Sequence, residues 1–142
     1  MVGPTAVGKS RVALSLAQSL KAEIVNADSR QVYRYMDIGT AKATHRERGS
    51  VPHHLLDVTD PNEGFSLGIY QRQAQQAISD ISDRGRLPLL VGGTGLFVWA
   101  VVEGWHVPAV PPDTVLRREL EDLSRREGVG ALYRRLRDMD PE

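Results

Sequence analysis

Gly3-Pro4-Thr5-Ala6-Val7-Gly8-Lys9-Ser10 follows the spacing G-x-x-x-x-G-K-[ST], a loop whose backbone N–H groups wrap a polyphosphate. Lys9 adds a positive charge to such a cradle, and the Ser10 hydroxyl can ligate Mg²⁺. At ordinary residue usage this pattern turns up by chance in roughly one in a few hundred chains of this length. It also runs straight into a helical pattern, whose N-terminal dipole favours an anion at that spot. The alternative is a glycine-rich turn that merely starts a helix. The loop alone does not say which phosphate compound is held.

A second group, Asp28-Ser29-Arg30-Gln31, directly follows an apolar strand pattern. Ligands in parallel α/β sheets sit beyond the carboxyl ends of strands, and Lys9, Asp28 and Thr94 each occupy such a place. A carboxylate there can take a proton from a nucleophile or hold a metal through water; read alone, it can equally be a helix N-cap. The apolar strand that ends at Val91 is followed by Gly92-Gly93-Thr94, where P-loop ATPases and GTPases normally carry an Mg²⁺-holding Asp. Asp57 is the weaker stand-in. This favours a loop that holds a diphosphate over one that hydrolyses ATP. Adjacent His53 and His54 would point to opposite faces of a strand, and His45 and His106 show no ligand spacing with them, which speaks against a histidine metal site. Trp99 and Trp105 read as core and linker packing.

Several elements must position these groups. Val12, Ala13, Leu16, Ala17 and Leu20 form one helical face. Glu23 to Ala27 reads as a buried strand, Leu55 to Val58 as another, and the stretch between as irregular. Ser66 is a candidate N-cap for a helix with the stripe Leu67, Tyr70, Ala74, Ala77, Ile78 and Ile81, ending at Gly85. Leu87 to Val91 is a third strand, apolar throughout as one covered on both faces would be, and Leu96 to Val102 is a helix. Strand and helix alternate, so the expected fold is α/β: a P-loop NTPase-like parallel sheet flanked by helices. Three prolines between Val107 and Pro112 mark a boundary. Beyond it Asp113 can cap a helix with the seam Leu116, Leu120 and Leu123, and Ala131 to Leu136 carries a second seam. Residues 1–107 are thus the α/β core, and 113–142 begin an all-helical insertion. With only Met1 and Val2 ahead of Gly3, and the chain stopping at Asp140-Pro141-Glu142, the first strand and the end of the helical part are expected to be cut short.

The 142 residues carry 18 basic and 18 acidic side chains and no cysteine. That excludes disulfides and thiolate-built metal or redox sites, fits a reducing cytoplasm, and leaves no wholesale basic coat for nucleic acid. From Asp113 onward seven basic and eight acidic residues merely alternate, so an RNA partner must be gripped locally. No apolar run approaches the roughly 20 residues of a membrane span.

The ordered blocks Gly-Pro-Thr-Ala-x-Gly-Lys-Ser at 3–10, Asn-Ala-Asp-Ser-Arg-Gln-Val-Tyr at 26–33, Met-Asp-Ile-Gly-Thr-Ala-Lys at 36–42, Pro-His-His-Leu-Leu-Asp at 52–57 and Leu-Val-Gly-Gly-Thr-Gly-Leu at 90–96 resemble the tRNA dimethylallyltransferase family. The resemblance runs from Met1 through about Trp105 and continues loosely to the end. It implies transfer of a dimethylallyl group from dimethylallyl diphosphate to N6 of the adenosine 3′-adjacent to the anticodon, with the 3–10 loop gripping the diphosphate and Mg²⁺ at Ser10. It further implies Asp28 as the base, Asp28, Ser29, Arg30 and Gln31 as the segment receiving a flipped adenine, and Thr94 and Arg117 as tRNA contacts. The expected partner is the anticodon stem-loop, met by a cytoplasmic monomer without a membrane. The rival classes are a P-loop small-molecule or nucleotide kinase, an isopentenyltransferase acting on free adenine nucleotide, and a non-catalytic phosphate- or RNA-binding module.

Overall fold

The computed structural model describes every residue except Thr5, Ala109 and Glu142. It forms two compact units, residues 1–108 and 109–142. The first holds α1 (Lys9–Leu20), β1 (Ala22–Asn26), α2 (His45–Ser50), β2 (His53–His54), α3 (Leu67–Asp83), β3 (Leu87–Val91) and α4 (Gly95–Val102).

The three strands form one parallel sheet in the order β2-β1-β3, with Ile24 opposite His53 on one side and Leu89 on the other. The central strand β1 is buried along its whole length. Alternation along β1 sends Ala22 and Ile24 toward α1, where they pack with Ala13, Ala17, Val51 and Val91. Val25 and Ala27 go the other way, into a core with Tyr70, Ala74, Ile81, Phe97 and Val98 from α3 and α4. In β3, Leu89 packs with the first cluster and Leu90 with the second, so both faces of the strand meet core, but coverage is partial: only Val91 is buried and Leu87 stays exposed. On its far side β3 meets the start of the chain: the Met1 ammonium donates to the Leu90 carbonyl at 2.6 Å, and Val2 pairs parallel with Gly92.

Ser66 accepts the Ile69 N–H and starts α3 as expected, and Gly85 follows its end at φ 68°. Four sequence expectations need correction. The strand expected over Leu55 to Val58 is instead His53–His54; Leu55 and Asp57 both adopt left-handed backbone, at φ 63° and 57°, which breaks an extended run just where Leu55 drops into the core. The stretch read as irregular contains α2, whose Thr44 and Glu47 make a reciprocal capping box. The apolar face of α1 is narrower than its five-residue stripe: only Ala13 and Ala17 are buried, because small side chains let the helix lie close to β1 and β3 and leave Val12, Leu16 and Leu20 at the rim. Trp99 is likewise not a core residue. Phe97, Val98 and Val101 face the core from α4, which turns Trp99 outward at 52% exposure.

The second unit is the helix pair α5 (Thr114–Glu127) and α6 (Val129–Met139), which pack on each other. Asp113 accepts the N–H groups of Val115 and Leu116, at 3.0 and 2.9 Å, and caps α5. Of the two apolar seams, Ala131 is buried while Leu116 and Leu136 remain largely exposed. None of the helices among the described residues is long and apolar enough to cross a membrane.

Candidate active site

The loop ahead of α1 bends through left-handed backbone at Ala6 and at Gly8, φ 67° and 85°, and Gly8 then accepts the Val12 N–H as the helix begins. The Lys9 ammonium folds back across the loop and donates to the Pro4 carbonyl, so its charge is held over the concave side. Ala6, Gly8, Lys9 and Ser10 line a cleft of about 530 Å³. Val7 is exposed, Gly3 lies against the Lys9 stem, and Thr5 falls outside the described residues.

The same cleft is lined by Asn26 at the end of β1 and by Asp28 and Gln31 from the loop after it, together with Thr40 and Ala41. The Asp28 carboxylate accepts the Arg30 N–H at 2.8 Å, forming an Asx turn that fixes its direction. Gln31 donates to the Thr40 carbonyl at 2.9 Å, tying this loop to the 36–42 segment. Arg30 is exposed. The sequence thus placed Lys9, Ser10, Asp28 and Gln31 on one cleft.

Thr94 reaches the same region indirectly. Its hydroxyl oxygen accepts the Ser29 N–H, and its own N–H goes to the Ala27 carbonyl at 3.1 Å. Gly92 makes this possible: a Cβ there would stand 2.1 Å from the Ala27 carbonyl oxygen, so the turns after β1 and β3 can touch only through glycine. Arg117 lies in the second unit, exposed on α5.

Asp57 does not serve the cleft. Its two carboxylate oxygens take Lys42 at 2.7 Å and Arg48 at 2.6 Å, and the Lys42 ammonium also donates to the Tyr33 carbonyl and to Asp37. Burial alone would raise the Asp57 carboxyl, but these hydrogen bonds and charges hold it below the usual carboxylate range. The network braces the 33–42 loop and is not legible in the sequence, where nothing local to Lys42 marks it as the buried hub. His53 lines the cleft, where burial keeps its imidazole below its ordinary pKa and its Nδ1 donates to the Val51 carbonyl at 2.7 Å. His54 turns away and binds Glu23 at 2.6 Å.

Ser10 suits Mg²⁺ in one respect: this ion keeps several waters and is held through one or two protein oxygens plus substrate phosphates rather than by a full protein cage. Among the described residues, His, Cys, Asp and Glu nowhere gather in threes as such a cage would need.

Known proteins resemble this chain in sequence and fold. The sequence profile of the family described as IPP transferase matches residues 31–142. A tRNA dimethylallyltransferase of Roseiflexus castenholzii is 57% identical over 99% of this chain, which corresponds to 46% of that protein; one of Thermomicrobium roseum is 52% identical and covered to 43%. The chain therefore spans a little under half the length of these relatives. Among solved structures, the full-length tRNA isopentenylpyrophosphate transferase of Bacillus halodurans is 49% identical, with a TM-score of 0.73 over 99% of this chain and 46% of that one. A eukaryotic dimethylallyltransferase acting on tRNA superposes with a TM-score of 0.81 at 31% identity, over 99% of this chain and 35% of its own. With the family profile matching residues 31–142, most of its length, this chain belongs to the IPP transferase family.

Proposed function

We propose that the protein carrying this chain transfers a dimethylallyl group from dimethylallyl diphosphate to N6 of the adenosine 3′-adjacent to the anticodon in tRNA, releasing diphosphate. The observation that carries this reading is the shared cleft: Lys9 and Ser10 of the 3–10 loop and the Asp28 carboxylate line one cavity at the carboxyl ends of parallel strands. The names of the close relatives support the same reaction.

The residues divide the work. The loop N–H groups and Lys9 hold the diphosphate and neutralise the charge that develops on it as the allylic C–O bond breaks. Ser10 would hold Mg²⁺, which supplies further charge neutralisation at the diphosphate when bound. Asp28 accepts a proton from the exocyclic amine as the new C–N bond forms, sparing a high-energy cation. An adenine within a stack cannot present N6 to the cleft, so the base must be flipped out, and Ser29, Arg30 and Gln31 form the edge that receives it. Thr94 and Arg117 contribute tRNA contacts. We assign the reaction to a cytoplasmic monomer.

The test is transfer of labelled dimethylallyl from its diphosphate to unmodified tRNA with Mg²⁺, using the full-length protein and its Asp28→Asn variant. Label on tRNA that falls by about 10²–10⁴ in rate with the variant supports both reaction and base. Phosphorylation of an acceptor by ATP, with no prenyl transfer, would establish a kinase instead.

A further inference from the structure

We infer that Asn26 is a positioning residue for the reaction: its buried side-chain amide sets the direction of the loop that carries Asp28. This rests on Asp28 acting as the base.

Asn26 closes the central strand, where its predecessors Ile24 and Val25 are buried and apolar, and it is itself only 3% exposed. Burying an amide is costly unless its hydrogen bonds are made. Here all of its polar atoms are used, and two of the three bonds go to one residue. Its Oδ1 accepts the Asp28 N–H at 3.1 Å, and its Nδ2 donates to the Asp28 carbonyl at 3.1 Å. Nδ2 also donates to the Leu55 carbonyl at 3.0 Å, at the left-handed corner that follows β2. The backbone of Asn26 is pinned as well: its carbonyl accepts the hydroxyl of Tyr70, a fully buried side chain stacked on Phe97 with ring centroids 3.8 Å apart. The amide is therefore a rigid bracket between the sheet, the Leu55 corner and both peptide groups of Asp28.

The bracket acts at the right place. Asp28 is the first residue beyond the strand whose side chain carries charge into the cleft, and small displacements of a proton acceptor cost rate steeply. The diphosphate cradle is built by a different segment, none of whose described residues hydrogen-bonds Asn26, so the two halves of the site should respond separately.

The experiment is a double-mutant cycle in the full-length protein, with Asn26→Ala and Asp28→Asn alone and together, read by kcat, by KM for dimethylallyl diphosphate and by thermal melting. The expected result is a fall of about ten- to a hundredfold in kcat for Asn26→Ala, with that KM held within about twofold, and no further loss when it is added to Asp28→Asn. Unchanged kcat in a folded Asn26→Ala protein overturns the inference. So does a parallel rise in the diphosphate KM, or a full further loss in the Asp28→Asn background, since each marks a general structural role. An active Asp28→Asn protein would instead overturn the base assignment itself. If Asn26→Ala does not fold, Asn26→Ser takes its place; its hydroxyl can accept the Asp28 N–H in the weaker serine form of this turn, and the same cycle is read with a smaller loss expected.

Discussion

The Thr94 hydroxyl oxygen accepts the backbone N–H of Ser29 at 2.9 Å and donates to the Ser29 hydroxyl at 3.2 Å, joining two loops 65 residues apart in the chain. One loop follows β1 and carries Asp28; the other follows β3. The pair holds the edge of the cleft closed on itself without occupying it.

Replacing Thr94 by Val keeps its shape and removes both bonds, leaving the Ser29 N–H short of an acceptor. The expected cost is about 1–2 kcal/mol of stability, and a loss of transfer rate larger than that of Thr94→Ser, which keeps the hydroxyl. Thermal melting and single-turnover rates measured side by side check this.

Gly92→Ala should be among the most damaging single-methyl changes in the protein. Its Cβ would meet backbone, which cannot rotate away, so the turns after β1 and β3 must separate. We expect on the order of 3 kcal/mol or more of destabilisation, read from the urea midpoint.

Lys9→Ala should weaken binding of inorganic diphosphate by about ten- to a hundredfold, the worth of one charge-assisted hydrogen bond, while leaving the melting temperature nearly unchanged because Lys9 buries little. Titration calorimetry gives the affinity directly. An unaltered affinity would remove the 3–10 loop from the site.

Acid should unfold the α/β unit through Glu23. Burial alone would raise this carboxyl, but hydrogen bonds and charge from His54 and Arg84 hold it below its ordinary 4.5. A carboxyl whose pKa is lower in the folded than in the unfolded chain stabilises the fold fully above the unfolded value. That stabilisation is lost as pH falls through the folded one. Stability should therefore fall below about pH 4.5, and Glu23→Gln should show a flatter acid limb from a lower plateau. Denaturant melts from pH 3 to 7 would show about this difference or its absence.

What could be read without coordinates was the part encoded locally. The Ser66 and Asp113 caps and the β1 and β3 segments carry their geometry in short spacings, and each stands where its pattern put it, β1 within one residue. The misses are tertiary. The Leu55 to Val58 run looks like a strand because Leu55 is apolar, yet that residue is apolar to fill the core from a corner, and Asp57 turns back to Lys42 and Arg48. Asn26 read as one residue inside the Glu23 to Ala27 strand, since its three hydrogen bonds depend on where Asp28 and Leu55 fold. The α2 capping box is the exception: Thr44 and Glu47, three residues apart, are a local signature set in an otherwise polar stretch.

The central claim is that one cleft joins an allylic diphosphate to an adenine of tRNA. The most direct measurement is to react the full-length protein with labelled dimethylallyl diphosphate and unmodified tRNA, digest the tRNA to nucleosides, and locate the label. The account predicts label on N6 of the single adenosine that follows the anticodon, at a rate that collapses with Asp28→Asn. Label on free adenine nucleotide alone, or on tRNA at a rate indifferent to Asp28, would contradict it.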